Sequence, residues 1–259
     1  MSARKLSISC HKGGVGKTTS AASIGGILSL GGQRVLLIDI DPQGNLTSSF
    51  TDGPFERTIY DCFKEFRSGR RGNVPDLPIY NIRENLDIVP SSIAMFSVDS
   101  VVAAEMDKAN ILRRLVAKVE GSYDWIIIDC PAQLGLVTAN ALIAAGNVLV
   151  PMTCDAFSAD GLQQLESFID NTASLNPEIE ITGIFLTRFD RRRQVDVAVA
   201  KELEERWGDV FFKTRIRTEA QLVKAALLKQ DIGMYNPKCR GAQDYLELLG
   251  EIVRKFDNQ

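Results

Sequence analysis

The chain has 259 residues, of which 45% are hydrophobic and 24% charged, and a formal net charge of -3 at pH 7. This composition is typical of a globular protein and excludes fibrous and disordered classes. His11 is the only histidine, so the composition also excludes most zinc sites and Ser-His-Asp hydrolases, which need histidine for their chemistry.

Length and the remaining composition limit the architecture and the compartment. A chain of this size can bury one large core, so we expect a single domain over residues 1–259. The 5 cysteines form no CxxC pair, which favours a reducing compartment over a disulfide framework. No apolar run approaches the roughly 20 residues of a membrane-spanning helix, and the first strand-like run begins too early for a signal peptide. We therefore expect a cytoplasmic protein.

Short apolar runs rich in β-branched residues alternate with segments of helical periodicity along the chain. The predicted strands are 6–9, 34–39, 86–89, 125–129, 147–152 and 181–187. The predicted helices are 17–30, 108–119, 136–145, 159–175, 195–206, 219–229 and 241–256. This alternation predicts an α/β fold with a doubly wound, mostly parallel sheet and helices on both faces. Residues 51–85 show no clean period, and we treat them as a variable excursion.

The stretch CHKGGVGKTTS, residues 10–20, follows the first predicted strand and opens the first predicted helix. Glycines let backbone N–H groups converge on phosphate oxygens, and the helix N-terminus favours negative charge. The pattern predicts that Lys17 contacts the β and γ phosphates of a nucleotide and that Thr18 ligates Mg²⁺. The other residues of this loop expected to bind the nucleotide are Gly13, Gly14, Val15, Gly16 and Thr19. The alternative is a glycine-rich turn without a ligand.

Lys12 is a second lysine in a loop that already contains Lys17, and His11 stands where the usual pattern has glycine. Two neighbouring ammonium groups repel each other unless several negative oxygens offset them. A symmetric dimer would supply a second triphosphate nearby, which Lys12 could stabilise in trans as an arginine finger does. The alternative is a solvated loop lysine.

Three carboxylates follow predicted strands. Asp39 ends the second strand and Asp41 comes two residues later, so alternation along an extended chain turns both to the same side. Asp129 ends the fourth strand. Each alone would be read as a turn or helix-cap residue. Together, beside a phosphate loop, they predict a Mg²⁺ site formed by Thr18, Asp39 and Asp129, partly through water.

The motif KGGVGKTT resembles the deviant Walker A signature of the ParA/MinD ATPase family, and the resemblance covers nearly the whole chain. Later stretches are similar to the ParA branch, which includes Soj: LGLVTANAL, CDAFSADGLQQL, GIFLTRFD and YNPKCRGAQDYLELLGEI. The resemblance implies a P-loop NTPase fold, ATP and Mg²⁺ as cofactors, and an ATP-dependent homodimer in which Lys12 is the signature lysine. It also implies slow hydrolysis that a ParB-like or cargo-adaptor protein stimulates.

By the same resemblance, DPQGN is similar to switch I of the family and DCPAQLGLVTANAL to switch II. Asp41 then corresponds to the residue that positions the attacking water, so Lys12, Lys17 and Asp41 form the expected catalytic set. In the family, one segment lies near the nucleotide base and the DNA, and here it reads IRTEAQLVKA, residues 216–225. The resemblance therefore implies that Arg217 and Thr218 contact the nucleotide.

The chain also departs from the family pattern. Switch II has one proline where relatives have two, and Gln221 falls where relatives have an arginine. The phosphate loop begins near the N-terminus, so we expect no N-terminal helix-turn-helix domain and no direct operator binding.

Basic residues are concentrated in the last third of the chain. Residues 188–229 contain eleven Lys or Arg and seven Asp or Glu. Clustered cations without a set of base-stacking aromatic residues suit phosphate contacts rather than sequence reading. We expect nonspecific binding to double-stranded DNA, and hence association with the nucleoid, through Arg191, Arg192, Arg193, Arg215, Arg217 and Lys224. The alternative is a solvated charged face.

The leading hypothesis is therefore an ATP-switched, DNA-binding ATPase that positions DNA or other cargo. A membrane-surface ATPase similar to MinD would need a basic amphipathic C-terminal helix, whereas EIVRKFDNQ is short and ends in polar residues. An iron-sulfur reductase similar to the nitrogenase iron protein would need a second cysteine placed to act with Cys130. A small-molecule kinase would need an acceptor pocket that the sequence does not indicate.

Overall fold

The computed structural model describes residues 2–69, 72–155 and 158–258, with residues 158–160 described by their backbone alone. Arg70 and Arg71, in the predicted excursion, lie outside the described residues. So do Ala156 and Phe157, within one of the stretches that resemble the ParA branch.

One eight-stranded sheet organises the described residues. Its strands are β1 (Arg4–Ile8), β2 (Val35–Asp39), β3 (Tyr80–Arg83), β4 (Leu86–Val89), β5 (Trp125–Asp129), β6 (Asn147–Thr153), β7 (Glu180–Phe189) and β8 (Phe211–Arg217). The order is β3-β4-β2-β5-β1-β6-β7-β8. Every neighbouring pair is parallel except β3 with β4. The predicted doubly wound, mostly parallel sheet is confirmed.

The helices connect the strands and cover both faces. They are α1 (Lys17–Leu30), α2 (Asn45–Ser48), α3 (Ile59–Glu65), α4 (Val98–Val101), α5 (Ile111–Ala117), α6 (Leu136–Ala145), α7 (Ser158–Thr172), α8 (Gln194–Trp207), α9 (Ala220–Leu227), α10 (Ile232–Tyr235) and α11 (Arg240–Asp257). Short 3₁₀ turns precede α4 and α5. None of the helices among the described residues combines the length and apolarity needed to cross a membrane.

The central strands are buried on both faces because successive side chains point to opposite sides of the sheet. In β2, Val35 and Leu37 belong to the core under α1, α10 and α11. Leu36 and Ile38 belong to the core under α3, α5 and α6. A third cluster packs α7 and α8 against β6 and β7. Continuous apolar runs in the sequence are thus explained by helices on both sides.

Two edge strands, β3 and β8, are absent from the strands predicted from the sequence. β8 reads FFKTRIR, where buried Phe212 and Ile216 alternate with the charged residues of a half-exposed edge strand. β3 pairs only with β4, and in the antiparallel sense. Edge strands bury one face or less, so they lack the continuous apolar run that marks the central strands. The excursion 51–85 also contains α3. Thr58 and Asp61 form a capping box at the N-terminus of this helix.

The parallel arrangement brings the functional segments together. The phosphate loop follows β1, Asp39 and Asp129 end β2 and β5, and Asp155 follows β6. The arginine run 191–193 follows β7. Because these strands are parallel, their carboxyl ends lie along one edge of the sheet, which is where open α/β sheets bind ligands.

Candidate functional site

The phosphate loop between β1 and α1 has the backbone that its glycines permit. Gly14 and Gly16 have φ angles of 74° and 90°, in the left-handed region that favours glycine. Gly16 precedes α1, and no side chain caps that helix. The first N–H groups of α1 therefore lack a side-chain acceptor, which is the arrangement of a phosphate site.

Lys17 is buried and folds back over its own loop. Its Nζ donates to the carbonyl oxygen of Lys12 at 2.9 Å and to that of Cys10 at 3.3 Å. These two contacts hold the ammonium group at the mouth of the loop. The charge that would meet a nucleotide phosphate is thus positioned by backbone oxygens before any ligand binds.

Side chains from elsewhere in the sheet fix the loop. The Thr187 hydroxyl, on β7, donates to the Val15 carbonyl at 2.8 Å and lies 3.2 Å from the Met152 carbonyl. His11 Nδ1 lies 2.9 Å from the carbonyl oxygen of Ala132. His11 thereby connects the phosphate loop to the segment that resembles switch II, a contact that the sequence did not predict.

Thr18 and Asp129 form the part of the predicted metal site that fits Mg²⁺ best. The Thr18 hydroxyl donates to Asp129 Oδ2 at 2.7 Å. Asp129 Oδ1 is buried and has no hydrogen-bond partner. Burial, and next the neighbouring Asp39 charge, raise the pKa of Asp129 well above its ordinary value. A buried carboxylate oxygen without a donor is a position where a hard cation would relieve the cost of burying charge.

Asp39 lies beside Asp129, in register on the adjacent strand. Burial raises the pKa of Asp39 to about 7, although three hydrogen bonds oppose the shift. Its Oδ2 accepts from the Thr47 amide at 2.8 Å and hydroxyl at 2.7 Å, and its Oδ1 accepts from the Asp41 amide at 3.1 Å. Because both oxygens are already engaged, Asp39 suits a contact to the metal through water.

Asp41 is only half-buried and is held less firmly than Asp39. Its Oδ1 accepts from the Gln43 amide at 2.9 Å, in a turn that leads to Gly44 with φ 61°. The turn positions the carboxylate at the mouth of the site and leaves Oδ2 available there for a water.

The donor set matches Mg²⁺ and does not match a cluster of softer metals. Across residues 2–69, 72–155 and 158–258, no group of three or more His, Cys, Asp or Glu side chains is arranged to hold a metal ion. Two carboxylates and a hydroxyl leave positions that nucleotide phosphates and water fill at Mg²⁺ sites. Cys130 is buried, and burial raises the pKa of its thiol.

Lys12 reaches a different partner from Lys17. Its Nζ forms an ion pair with Asp155, which follows β6, and the Thr153 hydroxyl donates to the same carboxylate at 2.6 Å. Each of the two ammonium groups of the loop therefore has its own acceptors. This arrangement resolves the electrostatic conflict that the sequence posed, since Lys12 is neutralised within its own chain.

A cavity of about 380 Å³ opens beside the start of α1. Thr19, Arg217 and Thr218, all expected from the sequence at the nucleotide, line it, together with apolar residues such as Leu222 and Tyr245. A mostly apolar cavity next to a phosphate loop has the character of a nucleotide base site.

A second, wider cavity of about 850 Å³ contains most of the predicted DNA-binding arginines. Its basic lining residues are Arg191, Arg192, Arg215, Arg217 and Arg240. Arg193 and Lys224 are exposed but are not among its lining residues. Arg215 is half-buried, with its guanidinium 4.2 Å from the Phe211 ring centroid and a donor to the Phe212 carbonyl.

Arg240, which also lines this cavity, is not among the residues predicted from the sequence. It begins α11, where a cation opposes the helix dipole, and its Nε lies 3.6 Å from Glu219. A positive charge in the first turn of a helix was the signal in the sequence that could have drawn attention to this residue.

The comparisons with known proteins agree with this architecture. A model of the AAA domain family matches residues 3–181. The chain is 35% identical over 251 residues to the sporulation initiation inhibitor protein Soj of Bacillus subtilis, covering 96% of this chain and 97% of Soj. It is also 35% identical over 264 residues to the chromosome partitioning protein ParA of Caulobacter vibrioides, covering 99% of this chain and 96% of ParA.

A solved structure shares the whole fold. Cobyrinic acid a,c-diamide synthase from Mycobacterium smegmatis, with bound ATP analog and magnesium, superposes with a TM-score of 0.84 at 28% identity, covering 98% of this chain and 95% of that chain. Its bound ligands agree with the ATP and Mg²⁺ expected from the sequence. On the identity and coverage of these relatives, the chain belongs to the AAA domain family, in its ParA/Soj branch.

Proposed function

We propose that this protein is an ATP-dependent, dimerising ATPase that binds double-stranded DNA without sequence preference and positions DNA or other cargo. A ParB-like or cargo-adaptor protein stimulates its hydrolysis, which is slow in the absence of that partner. Residues 1–259 act as one ATPase domain, in the cytoplasm and on the nucleoid. The relatives named partitioning protein ParA and Soj support the proposal.

One structural observation supports this proposed function most directly. The phosphate loop and the arginine-lined cavity lie on the same edge of the sheet, at the carboxyl ends of β1, β7 and β8. Nucleotide binding and phosphate-backbone binding therefore use neighbouring segments. A change at one can be transmitted to the other through directly connected residues.

The chain's own residues account for the steps of hydrolysis. Lys17 and the N–H groups at the start of α1 would hold the phosphates of ATP. Thr18 and Asp129, together with Asp39 beside them, would hold Mg²⁺. Bound Mg²⁺ neutralises charge on the phosphates. Asp41 orients the attacking water with its unengaged carboxylate oxygen. His11 contacts Ala132 and is assigned no part in the chemistry, so the rate depends on how well Asp41 positions the water.

Lys12 completes the site of a second subunit. In the isolated chain Asp155 neutralises Lys12. On closure of an ATP-bound dimer, the Lys12 ammonium exchanges that carboxylate for the triphosphate of the other subunit, where more negative charge is available. ATP thereby holds the two subunits together and brings their arginine-lined cavities onto one composite surface.

The decisive experiment measures binding to two unrelated duplexes by fluorescence anisotropy with ATP, ADP or no nucleotide, across a salt series. We expect ATP to tighten binding to both duplexes equally, with a steep loss of affinity as salt rises. Lys12→Ala abolishes the ATP effect, whereas Lys201→Ala, a matched loss of one exposed charge on α8, does not. Light scattering of the same samples reports the dimer.

Equal DNA binding in all nucleotide states, or binding insensitive to salt, would overturn the proposal. Sedimentation of the protein with anionic vesicles in the presence of ATP, together with an absence of DNA binding, would favour a membrane-surface ATPase.

A further inference from the structure

Arg217 is held by Asp244 through an extended set of hydrogen bonds. Its Nε lies 3.0 Å from both carboxylate oxygens of Asp244, and its Nη2 lies 2.5 Å from Oδ1. The backbone N–H of Arg217 also donates to Oδ2, at 2.9 Å. The Asp244 side chain is 5% exposed, whereas that of Arg217 is 44% exposed. A buried acid on α11 therefore holds an accessible arginine on β8.

A second guanidinium–carboxylate pair lines the same cavity. Arg192 Nε donates to Asp190 Oδ1 at 3.0 Å, and its Nη2 donates to Oδ2 at 2.8 Å. Guanidinium and carboxylate pair through two parallel hydrogen bonds, which is also the geometry in which guanidinium binds phosphate. Two arginines expected to contact DNA are thus already occupied by carboxylates of their own chain.

Arg217 differs from Arg192 in one respect that links it to the nucleotide. Arg217 and Thr218 line the arginine-lined cavity, and both also line the apolar cavity beside the phosphate loop. Arg192 lines only the first of these. A nucleotide base in the apolar cavity would therefore contact the segment that carries Arg217, which gives the nucleotide a direct route to this arginine.

We propose that Asp244 is an internal competitor for the DNA phosphate, holding Arg217 out of use until nucleotide binding shifts β8 and releases it. This inference rests on the proposed function, because it concerns the regulation of the same DNA site. Release replaces one buried carboxylate by one backbone phosphate on Arg217. Release thus adds one available cation to the arginine-lined cavity, while the net charge of the chain stays the same.

A purely structural role for Asp244 makes a different prediction. Asp244 also fixes α11 to β8 through the Arg217 backbone N–H. Asparagine keeps an oxygen that can accept this hydrogen bond and removes the charge that holds the guanidinium. Asp244→Asn therefore separates competition for the guanidinium from attachment of the helix.

The test compares Asp244→Asn with Glu247→Gln by fluorescence anisotropy on a duplex of arbitrary sequence, without nucleotide. Both variants remove one negative charge from the lining of the same cavity, but Glu247 is exposed and takes no part in the hydrogen bonds to Arg217. We expect Asp244→Asn to tighten nucleotide-free binding by about threefold to tenfold and to steepen the salt dependence by about one phosphate contact. Glu247→Gln changes affinity by less than about twofold.

A double substitution supplies the specificity control. In the Arg217→Gln background, Asp244→Asn has no arginine to release, so its effect on DNA affinity disappears. Equal tightening by Asp244→Asn and Glu247→Gln would show a simple charge effect and overturn the inference, as would tightening that persists without Arg217. Thermal melting of each variant identifies any loss of folding.

The inference and the proposed function fail in distinguishable ways. Absence of salt-dependent DNA binding by the wild-type protein with ATP removes the proposed function itself. Normal ATP-dependent binding by the wild type, combined with an unchanged nucleotide-free affinity for a folded Asp244→Asn protein, removes only the role of Asp244.

Discussion

The phosphate loop and the arginine-lined cavity share one edge of the sheet but are held by different forces. The loop is fixed by buried hydrogen bonds, such as that from Thr187 to Val15 and those of Lys17 to backbone carbonyls. Arg192 and Arg217 are held by ion pairs in which the guanidinium stays open to solvent, and the Arg192 side chain is 85% exposed.

This difference separates a fixed element from a switchable one. Buried hydrogen bonds cannot be exchanged for water without cost, so they hold the backbone of the loop firmly. Exposed ion pairs contribute little to stability, and their partners exchange readily. The phosphate loop is therefore preorganised, and the arginine-lined cavity is where nucleotide-dependent change is expected.

Lys17→Ala acts at the earliest step, nucleotide binding, on which all later steps depend. This substitution removes the positioned charge of the fixed region, so nucleotide affinity falls by at least about a hundredfold. Isothermal titration calorimetry with ATP and Mg²⁺ measures the loss, with Lys64→Ala on α3 as the control for one missing lysine. Retention of ATP affinity in Lys17→Ala would mean that the loop does not bind the triphosphate.

Asp41→Ala tests the carboxylate that is held less firmly than Asp39 beside the phosphate loop. We expect ATP to bind normally and turnover with the stimulating partner or DNA to fall by roughly 10² to 10⁴-fold, since the water loses its orienting acceptor. Phosphate release is measured beside ATP affinity. Asp52→Ala, which removes an exposed carboxylate nearby that pairs with Lys229, serves as the control and should leave both unchanged. Normal turnover in Asp41→Ala would exclude Asp41 from the mechanism.

Thr187→Val tests how the loop is anchored. Valine keeps the shape but leaves the Val15 and Met152 carbonyls without this donor, which costs about 1–2 kcal/mol in the free energy of unfolding. We also expect ATP to bind about tenfold more weakly, because the loop is no longer fixed.

A residue on the same strand provides the comparison. Thr182→Val removes a buried hydroxyl at the opposite end of β7, bonded to Asn147 at 3.0 Å. It should lower stability similarly, as measured by urea denaturation, and leave ATP affinity intact. Equal losses of ATP affinity in the two variants would show that the Thr187 contact has no specific role in the loop.

The smallest effect concerns the switchable region. Hydrogen bonds from Arg192 hold the pKa of Asp190 at about 2. Since this pKa is lowered on folding, the pair stabilises the folded state above about pH 4, and its contribution is lost as pH falls toward 2. NMR titration of the carboxylate should show the low pKa in the wild type and no change in Arg191→Ala. In Arg192→Ala the pKa should rise part of the way toward its ordinary value, because the backbone N–H of residue 192 still donates to Asp190. An unchanged pKa in Arg192→Ala would exclude the ion pair in solution.

The central elements could be predicted because their sequence signals are local. The bounds of β4, β5, α1 and α6 match those predicted from the sequence, since continuous apolar runs and flanking glycines mark them. The edge strands β3 and β8 could not be found in this way, because their pairing with one neighbour leaves a mixed pattern of charged and apolar residues.

The loop motif and the acids at strand ends were readable for the same reason. Spacing alone indicated Lys17, Thr18 and Asp129, and Thr18 does bond Asp129. The partners of the two less typical loop residues were not readable. Lys12 meets Asp155, which lies 143 positions away in sequence, and His11 meets Ala132, which lies 121 positions away.

The sequence by itself determined the alternation of strands and helices, the phosphate loop and the acids that end β2 and β5, because each depends on neighbours within a few residues. Only the tertiary structure decided which charges are free and which are paired. Asp244 holds Arg217 from 27 residues away, and Arg240 joins arginines contributed by β8 and the β7–α8 connection. Such pairings depend on how separate elements pack against one another, so no local pattern could specify them.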